Sequence, residues 1–215
     1  MTFPSRRVWA AAAGLILASG ALLITSESPA AAVSCTSPVR YAASSNTIYL
    51  VTAQAFTPTD IKAACPAAPL TLVDAASKTW ELSADLVLQN GATLTLHSGT
   101  SGDVNTLQIR SLADNAATHV QAITAQYGTI SIDSTHLVSW DDAAGGPDTN
   151  PSLPASAGNT DRGRAFIRAL SYLDTDGVTA HESYMYINNS ELDHLRERAD
   201  RLPWRGRSAS ALGDL

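Results

Sequence analysis

Ile130-Ser131-Ile132-Asp133-Ser134-Thr135-His136-Leu137 and Met185-Tyr186-Ile187-Asn188-Asn189-Ser190-Glu191-Leu192 can be laid over each other at an offset of 55 residues. Each opens on an apolar pair split by one residue, turns through small polar residues and returns to a leucine. Successive strand side chains point to opposite faces, so the pair and the leucine face inward while the residues between them face outward. Gly91-Ala92-Thr93-Leu94-Thr95-Leu96 and Gly128-Thr129-Ile130-Ser131-Ile132 repeat the opening of the pattern with one residue's slip. Short strands at this spacing, with polar corners and no helices between, suit an all-β fold of the right-handed parallel β-helix type, in which each coil covers the one before. A β-sandwich also joins many short strands by turns; the internal match favours the solenoid.

The same alternation extends on both sides, through Leu70, Leu72, Leu82, Leu86, Leu88, Leu107, Ile109 and Ile167. Upstream, a single strand over Ile48–Thr52 is expected. A short helix follows within Phe56–Pro66: Thr57 is an N-cap, Pro58 suits the first helical position, Asp60 supplies an acid in the first turn, and Pro66 forbids continuation. That helix is expected to cap the first coil. Asp141–Gly163 is a 23-residue run of Gly, Pro, Ala and small polar residues. It predicts a functional or mobile loop leaving the stack at one corner.

Arg6 and Arg7 precede the apolar run Val8–Ile24, and Ala30-Ala31-Ala32 fits the small-residue cleavage rule. Residues 1–32 therefore read as a signal peptide with the mature chain starting at Val33; an uncleaved anchor is the alternative. Export predicts a secreted, extracellular protein with no membrane association after cleavage. In that oxidising setting the only two cysteines, Cys35 and Cys65, form a structural disulfide. Closing their 30-residue separation stabilises the fold by roughly 3–4 kcal/mol. The expected organisation is a signal peptide at 1–32, a segment at 33–66 with the capping helix and disulfide, coils at 67–195, and an Arg-rich tail at 196–215. Of the 215 residues, 45% are apolar and 16% charged, which excludes wholesale disorder, collagen and coiled coil. A net charge of −6 with no basic cluster in the body of the chain excludes nucleic-acid binding.

Four motifs carry a family resemblance: Thr135-His136-Leu137-Val138-Ser139-Trp140-Asp141, the Gly146–Asp148 turn, Arg164-Ala165-Phe166-Ile167-Arg168-Ala169, and Ile187-Asn188-Asn189-Ser190-Glu191-Leu192. On these, Ile130–Leu195 resembles the mannuronan C-5-epimerase-like group of secreted right-handed parallel β-helix proteins, and the helix with Leu70–Leu96 looks like that group's N-terminal cap and first coils. The resemblance implies an isomerase acting on, or a protein binding, an anionic β-1,4-linked polyuronate such as alginate. Inverting C5 requires a cation or donor for the carboxylate, a base on one ring face and a proton donor on the other. A β-elimination lyase shares the first step and stays open as an alternative. The Asp-Pro-His-Asp motif of the epimerases is absent: Asp193-His194 has no proline before it and Pro147-Asp148 no histidine after it. No catalytic residue is therefore assigned.

Where the group continues into a further turn and strands, Arg196–Leu215 holds five of the chain's fourteen Lys and Arg residues and no alternating strand. This predicts a truncated β-helix lacking the catalytic coils, the tail being translated out of frame from about codon 196; a basic tail or a short capping helix is the alternative. A non-catalytic polysaccharide-binding or cell-surface module is the rival function.

Outward neighbours of the inward residues are the candidate ligand contacts. Tyr184 and Tyr186 can stack on sugar rings, and Arg164, Phe166 and Arg168 turn outward if Ala165 and Ile167 face in, with the arginines pairing with carboxylates. Residues 33–195 carry seven basic and sixteen acidic residues, net −9, which opposes a polyanionic ligand unless the arginines are locally concentrated. Asp174-Thr175-Asp176-Gly177 resembles the start of a calcium loop but lacks the glutamate at loop position 12, so a turn is expected. His97, His119, His136, His181 and His194 show no metal-ligand spacing; neither a metal nor a cofactor is expected. Asn188-Asn189-Ser190 fits a glycosylation sequon and equally a stacked β-helix corner.

Overall fold

The computed structural model describes residues 35–111, 121–149 and 163–195. The chain enters in a hairpin, β1 (Val39–Ala42) antiparallel to β2 (Thr47–Leu50), where the sequence suggested one strand. Val-Arg-Tyr-Ala alternates too, burying Val39 and exposing Arg40, whose guanidinium sits 4.1 Å over the Tyr49 ring. After β3 (Ala55–Phe56) comes the expected helix, α1 (Pro58–Ala64). Thr57 caps it reciprocally: its hydroxyl accepts from the Asp60 N–H, and the Asp60 carboxylate accepts from the Thr57 N–H. Ile61 is buried below, and the C-cap Cys65 is joined to Cys35 as expected.

Next, β4 (Leu70–Asp74) pairs antiparallel with β5 (Thr79–Leu82), and the register slips between Leu72 and Asp74. Leu72 and Val73 are exposed, although Leu72 still pairs with the buried Trp80, so the inward row read through Leu72 ends at Leu70. From there the strands run β6 (Asp85–Leu88), β7 (Ala92–His97), β8 (Thr106–Arg110), β9 (Ala122–Gln126), β10 (Gly128–Asp133), β11 (His136–Asp141), β12 (Gly146–Pro147), β13 (Phe166–Leu170), β14 (Tyr172–Leu173), β15 (Ala180–His181), β16 (Tyr184–Asn188) and β17 (Glu191–Asp193).

Most of them lie in three sheets, ordered β1-β2-β6-β9-β13, β3-β7-β10-β16, and β4-β5-β8-β11-β12 with β17 also on β11. The chain visits first, second and third sheet in turn through β6-β7-β8, then β9-β10-β11, then β13-β16-β17. Every pairing between one circuit and the next is parallel. The described residues are thus all-β, with one short helix among them and largely parallel sheets.

The 55-residue offset is the observed register: Ile130 pairs with Met185, Ile132 with Ile187, His136 with Glu191 and Leu137 with Leu192. The apolar positions of the earlier repeat align likewise, Leu94 on Ile130 and Leu96 on Ile132. The core is built from these inward rows, with Leu50, Leu82, Leu88, Leu94, Leu96, Ile109, Ile123, Ile130 and Leu137 essentially inaccessible to water. Burying each contributes roughly 1.5–3 kcal/mol.

Corners fall at residues with positive φ, among them Asn90, Ser134 and Asn189. Gly128 is required by close approach: a Cβ there would lie 2.8 Å from both the Ala92 carbonyl oxygen and Leu88 Cβ. The Asn188 amide donates to the Asp133 carboxylate at 2.8 Å and the Asn189 amide to the Ser134 hydroxyl at 3.2 Å, so the sequon asparagine forms part of a stacked corner.

The 141–163 segment begins differently from expectation. Instead of leaving the stack, residues 141–147 fold straight back, β12 pairing antiparallel with β11 through Asp141 and Gly146. The Asp141 carboxylate accepts from the Ala143 and Ala144 N–H groups to hold the turn. Expectations for residues 1–32, for 150–162 and for the 196–215 tail, including the truncation, lie outside the described residues. Among those described, no helix is long and apolar enough to cross a membrane.

Candidate functional site

The outer face of the second sheet is organised in transverse rows by the parallel register: Thr93, Thr129 and Tyr184; Thr95, Ser131 and Tyr186; His97, Asp133 and Asn188. Inward neighbours hold these rows rigidly, since strand alternation fixes the outward set once Ile130 and Ile132 are buried. Tyr184 and Tyr186 stack with ring centroids 6.2 Å apart and planes 11° from parallel. They are 45% and 59% exposed, so two nearly parallel aromatic rings reach solvent beside a field of hydroxyls. Below them His97 Nε2 shares a 3.0 Å hydrogen bond with the Ser131 hydroxyl. The Tyr184 hydroxyl donates to the Glu182 carboxylate, and that bond holds the phenol above its ordinary pKa.

Between β13 and β16 the chain makes an antiparallel excursion, β14 with β15, that stands beside Tyr184. Tyr172, Leu173, Ala180, Ser183 and Tyr184 line an open hollow of about 390 Å³ there. The Tyr172 ring stacks on His181 at 4.8 Å, and His181 meets Tyr127 edge-on at 4.5 Å. Ser183 ties the excursion down, accepting from the Tyr127 N–H at 2.7 Å and donating to the Leu170 carbonyl at 2.9 Å. At the tip, Asp174-Thr175-Asp176-Gly177 is the expected turn. The Asp176 carboxylate accepts from the Thr179 hydroxyl and from the Thr179 and Val178 N–H groups, which lowers its pKa to about 2.

The residues singled out in the sequence fall into two sets. Tyr184 and Tyr186 share the face just described. Phe166 and Arg168 lie on the first sheet, where Arg168 sits 5.2 Å over the Phe166 ring and donates from Nε to the Thr124 hydroxyl at 3.0 Å. Ala165 is buried, as expected of its inward position, and the Nε of neighbouring Arg164 is buried without a hydrogen-bond partner among the described residues. No ring contact or hydrogen bond among the described residues joins the arginines to the tyrosines.

A further cluster was not anticipated. On the outer face of the third sheet, His136 on β11 meets Glu191 and Asp193 on β17, with one ligand atom from each lying within 4.8 Å of the other two. His136 Nε2 is 3.9 Å from an Asp193 oxygen, and His194 Nδ1 is 2.6 Å from the other. Both nitrogens are inaccessible to water, and among the described residues neither makes an aligned hydrogen bond. Sequence spacing of histidines alone does not reveal this group; applying the 55-residue offset to His136 does, because it sets Glu191 directly beside it. Along the same sheet, Arg110 Nε pairs with Asp142 at 2.7 Å, yet partial burial and the nearby Glu81 charge keep the Asp142 carboxyl above its ordinary pKa.

Comparison of the chain with known family models, with curated proteins and with solved structures finds no match in any of the three.

Proposed function

We propose that the three sheets wind as a right-handed parallel β-helix and that the protein is an exported polysaccharide-binding member or relative of the mannuronan C-5-epimerase-like group. The observation that carries this reading is the exposed, nearly parallel pair Tyr184 and Tyr186 on a face of hydroxyls. Flat aromatic surfaces bury the apolar faces of pyranose rings, while Thr93, Thr95, Thr129 and Ser131 supply donors and acceptors for sugar hydroxyls. The sheet supplies these contacts preorganised, so little ordering entropy opposes binding. Polyuronate is the ligand class that the sequence resemblance implies, with Arg168 on the first sheet among the singled-out cations.

Binding is favoured over turnover. C5 inversion or β-elimination needs a carboxylate-neutralising group beside a base. The outer rows around the tyrosines contain no Lys or Arg, and their one imidazole, His97, is engaged with Ser131.

Titrating polymannuronate, polyguluronate and a neutral glucan while following tyrosine fluorescence and products tests the proposal. Saturable binding without guluronate formation or unsaturated ends is expected, and Tyr186→Ala weakens it about tenfold, worth roughly 1.4 kcal/mol, with the melting temperature unchanged. Guluronate formation would establish an epimerase and unsaturated ends a lyase. A folded protein that binds none of the three polymers overturns the reading.

A further inference from the structure

We propose that His136, Glu191 and Asp193 form a binding site for a divalent transition-metal cation of the zinc class on the outer face of the third sheet, bridging β11 and β17. Alternation along β17 places Glu191 and Asp193 on one face, and the parallel register sets His136 beside Glu191 and Val138 beside Asp193. The three ligand atoms already converge to within 4.8 Å of one another. Zinc is held by imidazole nitrogen and carboxylate oxygen at about 2.0–2.2 Å, so a small rotation of side chains that remain partly exposed closes the site.

A second observation points to a ligand: His136 Nε2 faces this cluster, is itself inaccessible to water and makes no hydrogen bond among the described residues. A polar atom left in that state is costly, and a cation removes the cost. A histidine–aspartate ion pair does not do so as well, because the 3.9 Å approach to Asp193 lacks hydrogen-bond alignment and leaves Glu191 uncompensated. Among the described residues no Lys or Arg pairs with either carboxylate, and Arg110, farther along the same sheet, is committed to Asp142.

The donor set also selects the metal. One imidazole and two carboxylates leave positions for water, as transition cations accept, whereas calcium seeks six to eight oxygen ligands and magnesium a mostly aqueous octahedron. His194 Nδ1, buried and 2.6 Å from Asp193, adds a second imidazole at the edge of the set. An ion here fastens β17 to the better-buried β11.

The test uses the full chain stripped of metal, in the absence of any polysaccharide, so that its outcome is separate from the tyrosine reading. Titration with Zn²⁺ by calorimetry is expected to show one saturable site, with the melting temperature rising as the site fills. Co²⁺ is expected to give the visible absorption of a nitrogen- and oxygen-ligated ion. His136→Gln and Asp193→Asn, both at partly exposed positions, each weaken binding at least tenfold, while His97→Gln on the second sheet leaves it unchanged. If either variant fails to fold, the Co²⁺ spectrum of the parent chain decides. Absence of saturable Zn²⁺ or Co²⁺ binding up to about millimolar metal overturns the proposal, as does binding that survives both substitutions.

Discussion

The same register positions behave differently in successive circuits of the chain. On the second sheet, Leu96 and Ile132 are 0% and 1% exposed, whereas their register partner Ile187 is 45% exposed. On the third sheet Leu107 and Leu137 are buried, whereas their partner Leu192 is 40% exposed. Chemistry and pairing are equivalent; what differs is a further circuit on the far side. Among the described residues no strand pairs with the outer edges of β13, β16 or β17. In a stacked architecture an inward side chain is half covered by each neighbour, so stability is a nearest-neighbour quantity rather than a property of the residue. The earlier circuits are therefore core, and the β13-β16-β17 circuit is a shelf laid on that core, bearing the exposed tyrosines and two of the three proposed metal ligands.

The largest expected contrast is in large-to-small substitutions. Leu96→Ala and Ile132→Ala each lose about 2–5 kcal/mol in urea unfolding, through lost burial and the cavity left behind. Ile187→Ala, at a matching position in the register, loses about 1 kcal/mol or less. Equal losses at all three sites would abolish the distinction between core and shelf. Next comes the staple at the other end of the molecule: Cys35→Ser with Cys65→Ser lowers stability by roughly 3–4 kcal/mol and leaves the shelf's ligand binding intact. Weaker binding in that variant at a temperature where it remains folded would show that the two ends are coupled.

The smallest effect is local to the β14–β15 turn. Its Asp176 has a folded pKa depressed from 3.8 to about 2, so its contribution is complete above 3.8 and is lost as pH falls through about 2. The Val178 and Thr179 amide resonances should titrate with a midpoint near 2. A midpoint at the ordinary carboxylate value would mean that these hydrogen bonds do not form in solution.

Where apolar residues alternate strictly, the fold was legible. The 55-residue offset fixed the register of β10 and β11 on the last circuit, and Thr57, Pro58 and Asp60 marked the helix because capping is a local interaction. The β9 strand escaped notice because Ala-Ile-Thr-Ala-Gln is buried along nearly its whole length and shows no alternation. The β1 and β14 strands escaped because each is short and pairs antiparallel through a polar turn. The tyrosine face was readable from alternation alone. Its separation from Arg168 was not, since which sheet a strand joins depends on how many corners intervene. The His136 cluster needed two facts at once, a register and a face, and single-residue spacing carries neither.

Amide hydrogen exchange with and without oligosaccharide tests the central claim, a buried core bearing a ligand-binding shelf, most directly. The account predicts strong protection for Leu94–Leu96 and Ile130–Ile132 in the free protein, weaker protection along Tyr184–Asn188, and a ligand-induced gain confined to the latter segment and the neighbouring β14–β15 turn. Uniform protection through all these strands, or a gain centred on the first or third sheet, would contradict it.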